Sequence, residues 1–404
     1  MALLAPSTSM SNMRNMHIIL LMLFVLVFFR AAYIYIPAML LVLLASIKRL
    51  NVGISSIIAG LSMATIAFNK ELIGDAAHYA KYYEFSSTLN LVDFLSDARP
   101  DFSMRRTEVV FRLYNWFFSK AGISFEFFHT VTIFATYVLM IIFGCKVYDY
   151  LDESGYPAAK ISRSLDRLFV IFWVIFVCVT FSLTSQVMKQ YMSIAVFSVG
   201  LAFSFRSDQK KYSIPTLIVS VLIHNATALL LIVYFVSRVL EPVLSRPIGK
   251  TLFVMLAFLI GSTVISFLGP LAAVLSYGGL ESTSLGPTVL LDIALVMGAV
   301  LVNVRKNFDY RLNLLWNFVF LLICTLILVR DIPILASRMY FNMDIMRIIV
   351  GILIYRSFGA EVRGILIASL IMFGPIYWTL KLYSSGWHYG WYSSSDFLLT
   401  FLGG

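Results

Sequence analysis

Charged side chains are scarce in this chain: 13% of its 404 residues are Asp, Glu, Lys or Arg, whereas 60% are hydrophobic. Together with a mean hydropathy of +0.87, this composition excludes a soluble globular domain of ordinary type. Only three cysteines are present, and Cys145, Cys178 and Cys324 lie far apart, in or beside apolar runs. Their placement argues against a disulfide framework and against a cysteine zinc site.

The motifs of the common nucleotide-dependent and zinc-dependent enzymes are also missing. The sequence contains no P-loop, GxSxG, HExxH or CxxC element and no dinucleotide-binding fingerprint. ATP-driven transport and zinc proteolysis therefore lose their support. The net charge of +10 comes from scattered basic residues rather than from a basic patch interleaved with aromatics. We therefore expect no nucleic-acid partner.

Apolar runs long enough to cross a bilayer core of about 30 Å are abundant instead. Such runs must be helical, because lipid offers no hydrogen-bond partner to the backbone. We predict an all-α fold: one polytopic integral membrane domain over 1–404, with about eleven transmembrane helices, one re-entrant helical hairpin and a large periplasmic loop. The candidate spans are 17–29, 31–47, 52–68, 126–144, 168–185, 189–205, 252–274, 287–303, 312–329, 340–355 and 364–381.

The re-entrant hairpin is predicted for 213–237, as two helices that meet at His224-Asn225. A single span here would place later basic loops outside, whereas a hairpin keeps every short basic loop cytoplasmic, as the positive-inside rule favours. Polar tips at membrane depth are tolerated where they line a cavity. With this topology several polar elements share the periplasmic face: the loop 69–120, the turn 186–190, His224, the turn 330–338 and the tail 382–396.

The loop 69–120 is the most polar part of the chain and holds seven of its 21 acidic residues. On a helix, Asp75, His78 and Tyr79 would share one face at i, i+3 and i+4. Asp and His there can act as acid or base or join a metal site, and the alternative is an interfacial belt of aromatics and charges. Glu108 is a further candidate acid or base within the same loop.

Three other elements could bind an anion, and His224 is a further functional candidate. Arg105 and Arg106 suit a phosphate or a lipid headgroup, and they precede an amphipathic helix over 109–118 that we expect to lie in the membrane interface. Lys189 and Gln190 open a helix whose N-terminus favours an anion, although a snorkelling lysine would give the same pattern. Arg338 has no acid nearby in sequence. His224 at the hairpin tip is either a satisfied core histidine or a functional one.

In order and spacing, these elements resemble the O-antigen polymerase (Wzy) group, most closely its EpsG-like branch. The resemblance covers about 70–345. Its motifs are Asp75-Ala-Ala-His-Tyr79; Glu108, Phe111 and Asn115 followed by Gly122-Ile123-Ser124-Phe125; Lys189-Gln190-Tyr191-Met192-Ser193; Ile223-His224-Asn225-Ala226-Thr227-Ala228; and Ser337-Arg338-Met339-Tyr340-Phe341. One departure is Lys189, where the family pattern has arginine, which keeps the charge but loses the bidentate fork.

The resemblance implies a glycosyltransferase of the bacterial inner membrane. Its substrate would be an undecaprenyl-diphosphate-linked oligosaccharide repeat, which it would join at the periplasmic face into O-antigen or a related surface polysaccharide. Membrane lipids and a chain-length regulator protein are the other implied partners. No cofactor is expected, and no metal is required if arginines carry the charge, although Asp75 and Glu108 could hold one.

The resemblance also suggests roles for the candidate residues. The residues that would bind the diphosphate and the sugar are basic, amide and aromatic: Arg338, Lys189, Gln190, Arg105, Arg106, His78, Tyr79 and Asn115. The base for the acceptor hydroxyl would be Glu108, Asp75 or His224, a choice that the sequence leaves open. A glycan ligase and a lipid-linked oligosaccharide flippase are the alternative functions.

Overall fold

A computed structural model describes the parts of the chain that carry most of these elements. It covers residues 40–45, 50–68, 74–96, 107–153, 163–205, 208–244, 246, 249–250, 252–253, 291–298, 310–329 and 338–384. Regular structure within these ranges is helical throughout, with no strand, so the all-α prediction is confirmed for them.

The helices follow the apolar runs, as expected for segments that satisfy their own backbone. In chain order they are α1 (Val52–Phe68), α2 (Asp75–Thr88), α3 (Leu91–Ser96), α4 (Val109–Lys120), α5 (Phe125–Glu153), α6 (Arg163–Phe172), α7 (Phe181–Gln186), α8 (Met188–Phe205), α9 (Lys210–Ile223), α10 (Ala228–Val239), α11 (Glu241–Leu244), α12 (291–298), α13 (Tyr310–Val329), α14 (Met343–Ser357) and α15 (Ala360–Ser384).

Two of these helices are long and apolar enough to cross a membrane, namely Phe125–Glu153 and Ala360–Trp378. With the high hydropathy of the whole chain, they indicate a helical membrane protein. The predicted number of about eleven spans stays a prediction, because 17–29, most of 31–47 and nearly all of 252–274 lie outside the described residues.

The candidate span 168–185 is not one continuous α-helix. After α6 the backbone widens into a π-helical segment, Trp173–Cys178, and α7 begins only at Phe181. The Trp173 indole donates to the Arg347 carbonyl oxygen at 3.0 Å. Trp173 also lies over Gly351, where an added Cβ would come within 2.2 Å of the indole nitrogen. Packing against α14 therefore accompanies the irregular backbone, which hydropathy alone does not reveal.

The helices α5 and α8 run side by side in the same direction. Near their N-termini, His129 Nε2 lies 2.7 Å from the carbonyl oxygen of Ser185. Near their C-termini, the rings of Tyr150 and Phe205 stack with centroids 5.1 Å apart. These contacts define two ends of the bundle, called here the N-end and the C-end of the α5–α8 pair.

The segment 210–239 forms a helical hairpin on α8. At the C-end, Ser213 donates to the Gly200 carbonyl oxygen at 2.9 Å and Arg238 to that of Ser204 at 3.3 Å. The helices α9 and α10 therefore start and finish at the same end, and the chain breaks between them at His224, which has extended backbone geometry. The break falls at the residue that the sequence predicts, and the relation of the hairpin to a bilayer stays a prediction.

In the described part of the polar loop, three helices, α2 to α4, form a cap with its own aromatic core. Tyr79, Phe111 and Phe128 are among the buried side chains of this core. Arg112 is also buried, and it donates to the Phe94 carbonyl oxygen while lying 5.0 Å from the ring centroid of Phe94. The predicted helix 109–118 is present as α4, with an exposed apolar stripe of Val109, Leu113 and Phe117.

Candidate active site

The centre of the site is Glu108, the residue that immediately precedes α4. Its carboxylate is fully buried and binds two groups from distant parts of the chain. Oε2 accepts from Lys189 Nζ at 2.8 Å, and Oε1 lies 2.6 Å from His224 Nδ1. Glu108 thus joins the cap, the start of α8 and the hairpin tip in one polar cluster.

Helix breaks place the two partners of Glu108. Lys189 lies in the first turn of α8, directly after the break at Val187 that separates α7 from α8. His224 occupies the break between α9 and a single 3₁₀ turn, Asn225–Thr227. Interrupted helices expose polar backbone and side chains where a continuous span would bury only apolar ones.

Two hydrogen bonds hold the hairpin tip in register with this cluster. Asn225 Nδ2 donates to Thr107 Oγ1 at 2.6 Å, and the hydroxyls of Ser193 and Thr227 are 2.6 Å apart. The first bond fixes the residue after His224 to the residue before Glu108. The second fixes the tip to α8, one turn after Lys189.

The protonation of the Glu108–His224 pair follows from its surroundings. Burial alone would raise the pKa of Glu108, but the hydrogen bond from His224 and the charge of Lys189 lower this pKa to about 2. Glu108 is therefore a carboxylate, which can only accept, so His224 Nδ1 is the donor. Burial lowers the pKa of His224, so the ring is neutral and Nε2 is its unprotonated nitrogen. It is buried and has no hydrogen-bond partner among the described residues.

Arg338 reaches the same region from a different part of the chain. Its NH1 donates to Gln190 Oε1 at 2.7 Å, and Gln190 Nε2 donates back to the Arg338 carbonyl oxygen at 3.1 Å. This reciprocal pair fixes the half-buried arginine against the residue next to Lys189. The ring of Tyr79 packs on the other side, with its centroid 5.6 Å from Lys189 Nζ.

The remaining predicted residues are not all in this cluster. Asp75 is half-buried at the start of α2 and contributes to the electrostatic field at both Tyr79 and Lys189. α2 is helical as predicted, so His78 and Tyr79 follow Asp75 at i+3 and i+4, but the His78 side chain is exposed whereas Tyr79 is buried. Asn115 belongs to a separate buried network, where its Oδ1 accepts from the Ser86 hydroxyl at 2.9 Å. Arg105 and Arg106 lie outside the described residues.

Sequence reasoning missed the role of Thr107, whose only signal was its position directly before Glu108. The described residues contain no group of three or more His, Cys, Asp or Glu side chains close enough to hold a metal ion. What the cluster offers is a buried imidazole nitrogen oriented by a carboxylate, beside a lysine and an arginine. This combination can take a proton from a hydroxyl next to a bound anion.

Comparison with known proteins agrees with this set of elements. The family model described as EpsG family matches residues 53–393, which is most of the chain and includes every residue of the cluster. No curated protein and no solved structure matches the chain. On the extent of the family match, the chain belongs to the EpsG family.

Proposed function

We propose that this protein is a polysaccharide polymerase that joins lipid-diphosphate-linked oligosaccharide repeats, with undecaprenyl as the lipid and the bacterial inner membrane as its location. EpsG-family proteins are associated with polymerases of this kind, which supports the reaction class. O-antigen or a related surface polysaccharide is the proposed product, made at the periplasmic face. The observation that carries the proposal is the buried Nε2 of His224, which has no hydrogen-bond partner among the described residues and lies in the electrostatic field of Lys189 and Arg338.

In this mechanism His224 is the catalytic base. Nε2 accepts the proton of the acceptor sugar hydroxyl as its oxygen attacks the anomeric carbon of the donor chain. The bond from that carbon to the diphosphate oxygen breaks, and its electron pair leaves with the lipid diphosphate. The proton stays on the imidazole, where the Glu108 carboxylate, 2.6 Å from Nδ1, stabilises the imidazolium.

The cations act on the leaving group. Lys189 and Arg338 would neutralise the negative charge that develops on the diphosphate, and Gln190 keeps Arg338 in place. Charge-assisted hydrogen bonds to phosphate in a site shielded from water are stronger than neutral ones. Arg105 and Arg106 are proposed as further contacts to the same headgroup.

Deleting the gene in a host that makes a polymeric surface glycan tests the proposal. The expected result is a glycan ladder reduced to single repeat units, restored by the wild-type gene but not by His224→Gln at equal protein level. Long chains that persist in the deletion strain would contradict polymerase function. Long chains that accumulate on the carrier lipid without transfer would instead favour a ligase, and an absence of lipid-linked repeats from the periplasmic face would favour a flippase.

A further inference from the structure

The site contains its own counter-ion for the lysine that the proposed reaction needs. Lys189 is 5% exposed and Glu108 is fully buried, and the salt bridge between them is 2.8 Å long. The positive charge of Lys189 is therefore already neutralised inside the protein.

Lys189 cannot neutralise Glu108 and a bound diphosphate at the same time. A diphosphate placed at the N-terminus of α8 would bring at least two negative charges next to a buried carboxylate, and like charges repel strongly where water is excluded. Lysine has a long flexible stem and a single nitrogen that can turn from one acceptor to another, which an arginine fork does less readily. His224, in contrast, is fixed at the hairpin tip by the neighbouring Asn225–Thr107 bond.

We propose that Glu108 is an internal competitor that occupies Lys189 in the resting site and is displaced from it by the diphosphate of the lipid-linked donor. This inference rests on the proposed function, because it assigns the donor headgroup as the displacing anion. After the exchange Glu108 keeps His224 as a partner without sharing its charge with Lys189. The carboxylate then stabilises the imidazolium more strongly, so the base becomes fully effective only when a donor is bound. Donor binding would precede deprotonation of the acceptor.

The exchange predicts that removal of the Glu108 carboxylate tightens the binding of a diphosphate ligand. The probe is farnesyl diphosphate, titrated into the full-length protein in nanodiscs, with farnesol as the uncharged reference. Glu108→Gln keeps the size of the side chain but removes the negative charge from beside Lys189, so the Kd of this variant for farnesyl diphosphate should fall at least about tenfold. That factor corresponds to about 1.4 kcal/mol. Farnesol binding should stay unchanged.

Glu126→Gln is the matched control, since Glu126 is an exposed acid at the start of α5 and changes the net charge equally. Its Kd should stay within about twofold of wild type, which separates the local exchange from a general effect of charge. Adding Lys189→Gln to Glu108→Gln should abolish the gain. If Glu108→Gln does not fold, Glu108→Asp shortens the side chain by one methylene, weakens the bond to Lys189 and should give a gain of about two- to fivefold.

An unchanged or weaker affinity in both Glu108 variants would overturn the exchange, as would a gain that survives loss of Lys189. The outcomes also separate this inference from the proposed function. If Glu108→Gln binds farnesyl diphosphate more tightly while the deletion strain still makes normal polymer, the exchange is supported and polymerase function is contradicted. If the deletion strain loses its polymer but Glu108→Gln binds farnesyl diphosphate no more tightly than wild type, polymerase function is supported and the exchange is contradicted.

Discussion

Two buried carboxylates at opposite ends of the bundle allow the proposed active site to be compared with a second polar cluster. Glu108 lies at the N-end of the α5–α8 pair, and Asp166 lies at the C-end, next to Tyr148 of α5. Asp166 Oδ2 accepts from the Tyr148 hydroxyl at 2.6 Å, and Oδ1 accepts from the Tyr355 hydroxyl at 2.5 Å and from Arg363 NH1 at 3.1 Å. His129 and Tyr148 are 19 residues apart on α5, which at 1.5 Å per residue puts the two ends roughly 28 Å apart.

The difference between the clusters lies in the partners rather than in the carboxylates. Both acids are almost completely buried and both use their two oxygens. Each tyrosine at Asp166 donates its single O–H to the carboxylate, so that cluster ties α5, α6, α14 and α15 together. His224 has a second nitrogen, which no described residue occupies. A buried polar group without a partner costs stability, so its retention points to a ligand.

The largest expected effect is that of His224→Gln. Glutamine keeps a polar side chain at the hairpin tip but cannot take the proton, and a positioned general base contributes about 10²- to 10⁴-fold. We expect the polymerisation rate per folded molecule to fall by that factor, measured with purified protein and lipid-linked repeats. A loss below about tenfold at normal thermal stability would mean that His224 is a core residue like those around Asp166.

Lys189→Gln should come next. A charged contact to a ligand contributes about 1–3 kcal/mol, and at about 1.4 kcal/mol per factor of ten its loss lowers the rate roughly 5- to 150-fold. Lys189→Arg keeps the charge and should retain most of the activity. If the lysine only reaches toward headgroups, both variants will form chains of normal length in the ladder gel.

Asn225→Ala should have a smaller effect, because it removes a bond that positions the hairpin tip rather than a reacting group. A neutral hydrogen bond contributes about 0.5–1.5 kcal/mol, so the rate should fall roughly 2- to 12-fold. Thr107→Val breaks the same bond from the other side. The double variant should therefore be no slower than the slower single variant, and additive losses would show that the two side chains act separately.

Asp166→Asn should have the smallest effect on activity and a clear effect on stability. It leaves the buried Arg363 with a neutral partner, and breaking a buried ion pair costs about 3–5 kcal/mol. The thermal midpoint in detergent should drop by several degrees, whereas the rate per folded molecule should stay within about twofold of wild type. A catalytic defect at full stability would abolish the contrast between the two ends.

Much of this arrangement is visible in the sequence. Hydropathy and the positive-inside rule predict the helices and the break at His224, and Lys189 is predicted at a helix start because its polar neighbours open an apolar run. The choice of base was not predictable, since Asp75, Glu108 and His224 all qualified by residue type. Glu108 meets Lys189 and His224 across 81 and 116 residues of chain. Only tertiary packing of the cap on α8 and the hairpin brings these three side chains together.

The hairpin also bears on how such a protein could have evolved its site. Because α9 and α10 start and finish beside the C-terminal half of α8, the segment 210–239 returns the chain to the side from which it left. In the predicted topology this re-entrant unit preserves the parity of the membrane crossings, so all later loops would keep their compartments whether it is present or not. The segment that carries His224 could therefore be gained, lengthened or exchanged between relatives without inverting the rest of the protein.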